Sequence, residues 1–269
     1  MGIKDILVHL DDSVASESIL DAAILYAAKH KANLRGLFHV ATTYYGQRDL
    51  GILPTRERLE TSFREKTAAA KVASGWISAA AALREESAAD IVLMESYYSD
   101  LIIVGQPNPR TTGLNISMDL PEHLVKGSGR PVLVVPYAGS FETAGDRIMI
   151  AWRTGRESAR SLADALPLLE KATHVSVVGI DVKVFNSDEN REITSVSNYL
   201  VRHGVTAEAH HEYAGDLSIG DTILNLACEQ AATLLVMGAC ALNRRGALEF
   251  SPVARHVLKH LTVPVLFSH

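Results

Sequence analysis

Short apolar runs alternate with longer amphipathic stretches throughout this 269-residue chain. Runs rich in Val, Ile and Leu lie near 3–10, 34–40, 76–80, 101–105 and 131–135, and again near 147–152, 174–180, 205–211, 233–237 and 264–267. In the first half, helical spacing fills the intervals near 13–31, 56–73, 86–98 and 120–127. The cores LIIVG and VLVV carry no polar residue, as expected of strands covered on both faces. In the first helix Ile19, Ala23, Ile24 and Ala27 share one stripe, with Asp21 and Lys29 elsewhere. Thr154 and Glu157 have the spacing of a capping box. His210 and His211 end a strand, where alternation turns them to opposite faces. This rhythm predicts an α/β chain with open parallel sheets flanked by helices.

The rhythm also repeats. KDILVHLDDSVASESILDAAILYAAK near the start is matched by DRIMIAWRTGRESARSLADALPLLEK after residue 145, SDLIIVGQ by ATLLVMGA, and GRPVLVVP by TVPVLFSH. Gly105 and Gly238 are 133 positions apart, as are Pro131 and Pro264, whereas Asp11 and Arg153 are 142 apart. The second copy is therefore nine residues shorter between its first and fourth strands (142 − 133). The stretch YAGSFETAGD, 137–146, is rich in small residues and suits a hinge. Two domains are expected, at 1–138 and 145–269.

Composition narrows the function classes. Apolar residues make up 47% and charged residues 21%, an ordinary globular balance. A net charge of −5 provides no basic field, so neither nucleic acid nor an anionic membrane is expected as a partner. Two cysteines, Cys228 and Cys240, exclude a disulfide framework. The start, MGIKDILVHLDDS, lacks the features of a signal peptide, and no run approaches 18 apolar residues. The expectation is a soluble, cytoplasmic protein.

ILVHLDDSVAS, DLIIVGQ and a helix running into RPVLVVP resemble the universal stress protein family, here as a tandem pair across the whole chain. The second copy, with IAWRTGRESARSLADALPLL and LLVMGACALNRRGALEF, resembles it more strongly. The resemblance implies a Rossmann-like five-stranded sheet of order 3-2-1-4-5 in each half. It also implies an intrachain pseudo-dimer formed through the last strands, with a homodimer left open. One branch of the family binds ATP or AMP between the carboxyl ends of strands 1 and 4, where the strand order reverses.

For that branch the resemblance implies an Asp after strand 1 and Gly-x2-Gly-x9-Gly-Ser/Thr after strand 4. Glycines let backbone approach phosphate, and a helix start offers unpaired N–H groups. The first half keeps Asp11 and Gly105, has Asn108 at the second glycine, and closes on Met118-Asp119. Asp119 and Glu122 read as a capping-box-like helix start that occupies the N–H groups a phosphate needs. The GSG at 127–129 reads as a helix end. The second half has Arg153 for the Asp, Gly238 for the first glycine, Ala241 for the second, and Ser251-Pro252 at the close. Ser-Pro is a good N-cap and N1 pair, while Arg153, Arg244 and Arg245 can gather on an anion. The ligand-binding candidates are therefore Asp11, Val40, Gly105, Asn108, Arg153, Gly238 and Ser251. Asp11 reads equally well as a helix N-cap, and Gly105 and Gly238 as tight turns.

Other constellations carry less. His256 and His260 share a helix face but have no acid or thiol at ligand spacing, so no metal is expected. Cys228 reads as a small core residue and Cys240 as a partly exposed, oxidisable one. No nucleophile elbow, Walker A loop or dinucleotide fingerprint occurs. The leading expectation is a non-enzymatic stress-response protein without a cofactor, its nucleotide motifs degenerate in both halves. The alternative is an ATP- or AMP-binding switch; a weak ATPase has least support.

Overall fold

The computed structural model describes residues 2–39, 52–79, 88–108, 119–139, 141–181, 189–242 and 246–269. The chain divides into two units, Met1–Glu142 and Thr143–His269. The first contains β1 (Asp5–Leu10), α1 (Ser16–His30), β2 (Asn33–His39), α2 (Ile52–Ala69), β3 (Ser74–Ala79), α3 (Ala88–Ser96), β4 (Leu101–Gly105), α4 (Leu120–Gly127) and β5 (Val132–Val135). The second contains β6 (Arg147–Trp152), α5 (Arg156–Leu169), β7 (His174–Asp181), α6 (Glu189–Arg202), β8 (Glu208–Tyr213), α7 (Ile219–Glu229), β9 (Leu234–Gly238), β10 (Cys240–Leu242), β11 (Leu248–Phe250), α8 (Pro252–Lys259) and β12 (Val265–Ser268).

Within the first unit the strands run parallel in the order β3-β2-β1-β4-β5, with Ile6 opposite both Leu34 and Leu101. Within the second they run parallel in the order β8-β7-β6-β9-β12, with Ile148 opposite both Val175 and Leu234. Each unit therefore has the order 3-2-1-4-5. The central strands are sealed on both faces: Ile102, Ile103 and Val104, and likewise Leu234, Leu235 and Val236, are fully buried. The helix stripe expected from Ile19, Ala23, Ile24 and Ala27 is buried as well. At roughly 25 cal/mol per Å² of apolar surface, such strands supply the main drive to fold.

Four helices close through a left-handed residue whose successor turns back toward the helix. Lys31 (φ 51°), Lys71 (φ 55°) and Ala231 (φ 48°) fill that place after α1, α2 and α7, and Gly204 (φ 77°) fills it after α6. In each case the next N–H donates five residues back, as Val72 does to Thr67 and Val205 to Leu200.

Several local expectations are corrected. Thr154 and Glu157 form no capping box: the N-cap of α5 is Gly155, without a side-chain cap. The Thr154 hydroxyl donates instead to the Glu192 carboxylate, a charged acceptor that outcompetes a backbone group. Asp119 precedes α4 but makes no side-chain cap bond. Cys228 is exposed on α7 and Cys240 is buried. Burial of Cys240 follows from a short hairpin, β10–β11, in which Cys240 stands opposite Phe250. That hairpin is absent from the sequence reading, because three-residue strands fall below the length at which alternation is visible. Among the described residues, no helix is long and apolar enough to cross a membrane.

Candidate functional site

Both units reverse their strand order beside the first strand, between β1 and β4 and between β6 and β9, and a crevice is expected there. In the first unit Asp11 follows β1. Its Oδ1 accepts from the Ser13 N–H at 2.9 Å and from Ser16 Oγ at 2.9 Å, and the Asp11 N–H donates to Ser16 Oγ at 3.0 Å. Asp11 thus ties the turn into α1 and is not the helix N-cap, a place held by Ala15. Burial, and then the neighbouring Asp11 charge, pushes the Asp12 carboxyl above its ordinary value. Asp12 Oδ1 is buried without a partner.

Asp11, Gly105 and Asn108 come together around a cavity of about 20 Å³ that also touches Tyr137. That is room for about one water molecule. A Cβ on Gly105 would stand 2.6 Å from Ile19 Cδ1, so the end of the Ile19 side chain packs over the glycine. Val40 and Met118 lie outside the described residues.

The second unit is more open. Arg153, Gly238 and Ser251 come together on a cleft of about 530 Å³ at the carboxyl ends of β6 and β9. Its walls are largely apolar, including Trp152, Ile180, Ile219, Ile223 and Met237. A neighbouring chamber of about 440 Å³ extends past the ends of β7 and β8, lined by Gly179, Asp181, Glu192 and His211. Trp152, Arg153, Thr154, Ile180 and Ile219 border both spaces. The Trp152 indole N–H is buried without a hydrogen-bond partner.

The backbone at the end of β9 is already committed. A Cβ on Gly238 would stand 2.9 Å from the Glu157 carbonyl carbon and 3.0 Å from the Ser158 nitrogen. The first turn of α5 therefore occupies the space that this glycine leaves. Beyond it the hairpin pairs Cys240 with Phe250, Ala241 with Glu249 and Leu242 with Leu248. The Ala239 N–H donates to the Ser268 carbonyl at 3.0 Å, and that of Ser251 to the Ala239 carbonyl at 2.8 Å. At the start of α8, Ser251 Oγ accepts from the Ala254 N–H at 3.1 Å and Pro252 has no N–H. Ser251 is thus an N-cap followed by an N1 proline, as its sequence implies.

Charged groups ring this cleft unevenly. His211 Nε2 lies 2.8 Å from Asp181 Oδ2 in the smaller chamber. Glu192 accepts from Thr154, and Glu157 lies 3.7 Å from Arg156. Arg153 is exposed at the border of the two chambers; Arg244 and Arg245 lie outside the described residues. Between α7 and α8, outside the lining of both chambers, His256 Nε2 meets Asp221 Oδ1 at 2.8 Å, and Ser218 Oγ donates to Asp221 Oδ2 at 2.6 Å. The Ser218 hydrogen bond, and then that of His256, holds the Asp221 carboxyl below its ordinary value. The His256 and His260 rings lie 4.7 Å apart and tilted by 44°, and no cluster fit for a metal occurs among the described residues.

The sequence reading missed Trp152, Glu157, Asp181, Glu192 and His211 as lining residues. Asp181 and His211 carried a usable signal, since polar residues at the carboxyl ends of parallel strands face the crevice. Glu192, on a helix face, carried none.

No family model and no curated relative matches the chain. Solved structures do. A universal stress protein from Archaeoglobus fulgidus DSM 4304 superposes over 98% of this chain and 97% of its own, at 17% identity and a TM-score of 0.73. A protein from Pseudomonas aeruginosa UCBPP-PA14 assigned to the same family covers 99% and 93%, at 21% identity and a TM-score of 0.66. A functionally unknown protein from Pseudomonas aeruginosa PAO1 covers 99% and 92%, at 21% identity and a TM-score of 0.65.

Proposed function

We propose, from a fold that is shared with universal stress proteins and present twice in tandem, that the chain acts in the stress response as a non-enzymatic regulatory protein that binds a small ligand in its second repeat. The repeats serve as an intrachain pseudo-dimer, a reading supported by their common fold. The observation that carries the ligand reading is the cleft of about 530 Å³ at the β6–β9 reversal, where Arg153, Gly238 and Ser251 meet. Clefts of roughly 300–1,000 Å³ with apolar walls and a few polar groups are the usual form of a small-molecule site.

The alternative, an ATP- or AMP-binding switch, is favoured by Arg153, since a guanidinium at a crevice mouth suits a phosphate. The deciding experiment denatures purified full-length protein, identifies released small molecules by mass spectrometry, and then titrates ATP and AMP by calorimetry. Saturable binding near one per chain that Arg153→Ala abolishes supports the switch. No binding of either nucleotide restricts the ligand to another chemical class.

A further inference from the structure

The end of β9 leaves a phosphate little backbone to hold. The hairpin β10–β11 pairs its two strands with each other. At the start of α8 the Ser251 N–H donates to the Ala239 carbonyl, the Ala254 N–H donates to Ser251 Oγ, and Pro252 has no N–H. Of the four N–H groups that a helix start can offer an anion, at most that of Val253 is left.

The cleft of about 530 Å³ offers something else. Val178, Ile223 and Met237 enter it from the buried core, and Trp152, Ile180 and Ile219 wall it from half-buried positions. At its border stands Arg153, exposed and without a carboxylate partner among the described residues. The carboxylate lining this cleft, Glu157, lies 3.7 Å from the Arg156 guanidinium. A guanidinium beside an apolar space suits an oxyanion, which it can hold by two parallel hydrogen bonds. The charge it can match is one. A phosphate monoester carries about two negative charges at neutral pH, and the surplus would face Glu157 and, in the neighbouring chamber, Glu192.

We infer that the second repeat takes an apolar carboxylic acid, its body in the cleft at the β6–β9 reversal and its carboxylate on Arg153, in preference to a phosphorylated ligand. This inference rests on the ligand-binding reading above and names its ligand class.

The test titrates the full-length protein with phenylbutyrate, its uncharged amide phenylbutyramide and AMP by calorimetry. The acid is expected to bind at least about tenfold more tightly than either of the others. Arg153→Gln, at an exposed position, should weaken the acid about tenfold and leave the amide unchanged. Ile219→Ala trims the apolar wall and should weaken acid and amide alike. Amide or AMP bound as tightly as the acid overturns the inference and leaves the ligand-binding reading intact. So does acid binding that Arg153→Gln or Ile219→Ala leaves unchanged. Absence of saturable binding by all three also overturns the inference, and it takes the ligand-binding reading with it where the denatured protein releases no small molecule.

Discussion

Gly238 lies against the Glu157 backbone so closely that a Cβ would come within 2.9 Å of its carbonyl carbon. At Gly105, the equivalent place in the first repeat, the added atom would meet only the end of the Ile19 side chain, at 2.6 Å. Backbone cannot step aside, whereas a terminal methyl can rotate. Gly238→Ala is therefore expected to destabilise the protein by about 1–3 kcal/mol, an overpacking cost, and Gly105→Ala by less. Urea unfolding of the two variants checks the order. Equal losses would mean that the α5 contact yields as easily as a methyl group.

Asp12 is expected to limit stability at neutral pH. Burial and Asp11 raise its carboxyl in the folded state, so the fold disfavours the ionised form. Its contribution is fully present below the unfolded value of 3.8 and is lost as pH rises through the folded value. Asp12→Asn should raise the urea midpoint at pH 7 and leave it unchanged below pH 3.8. A midpoint gain that persists at the acid end would assign the effect to something other than charge.

The α1–α2 clasp should behave in the opposite sense. Lys66 Nζ lies 2.9 Å from Glu17 and 2.7 Å from Asp21, with Ser62 and Arg58 also on Glu17. Partial burial raises the Glu17 carboxyl, but hydrogen bonds from Lys66 and Ser62 outweigh it and the net shift is downward. The stabilisation is present above 4.5 and lost as pH falls through the folded value. These groups are partly exposed, so a Glu17→Gln/Lys66→Met cycle should give a coupling of only about 0.5 kcal/mol, less in high salt.

The two thiols should be distinguishable. Cys228 is exposed and Cys240 is buried within the β10–β11 hairpin. A chromogenic disulfide reagent is expected to modify one cysteine per chain rapidly in the native protein and both in denaturant. Mass spectrometry after brief labelling should find the adduct on Cys228.

The elements of the fold were legible because buried parallel strands leave a strong trace. LIIVG at 101–105 and the repeat offset of 133 reveal the sheet and its duplication without any structure. The site was legible in part. Asp11 with Gly105, and Arg153 with Gly238 and Ser251, are indeed neighbours, because the crevice follows from topology. The committed backbone around Gly238 was not, since a missing Cβ does not reveal what fills its space. Nor was Glu192: it reaches the neighbouring chamber from a helix distant in sequence, where it accepts from Thr154.

Lys71 and Gly204 stand 133 positions apart and end corresponding helices with the same left-handed turn. One copy uses the residue that adopts this conformation freely; the other, together with Lys31 and Ala231, uses side chains that resist it by about 1 kcal/mol each. Lys31, Lys71 and Ala231 are thus places where a single codon change to glycine would add robustness without touching core or cleft. The fold thus carries three small local strains at its helix ends, each a reserve of stability that it does without.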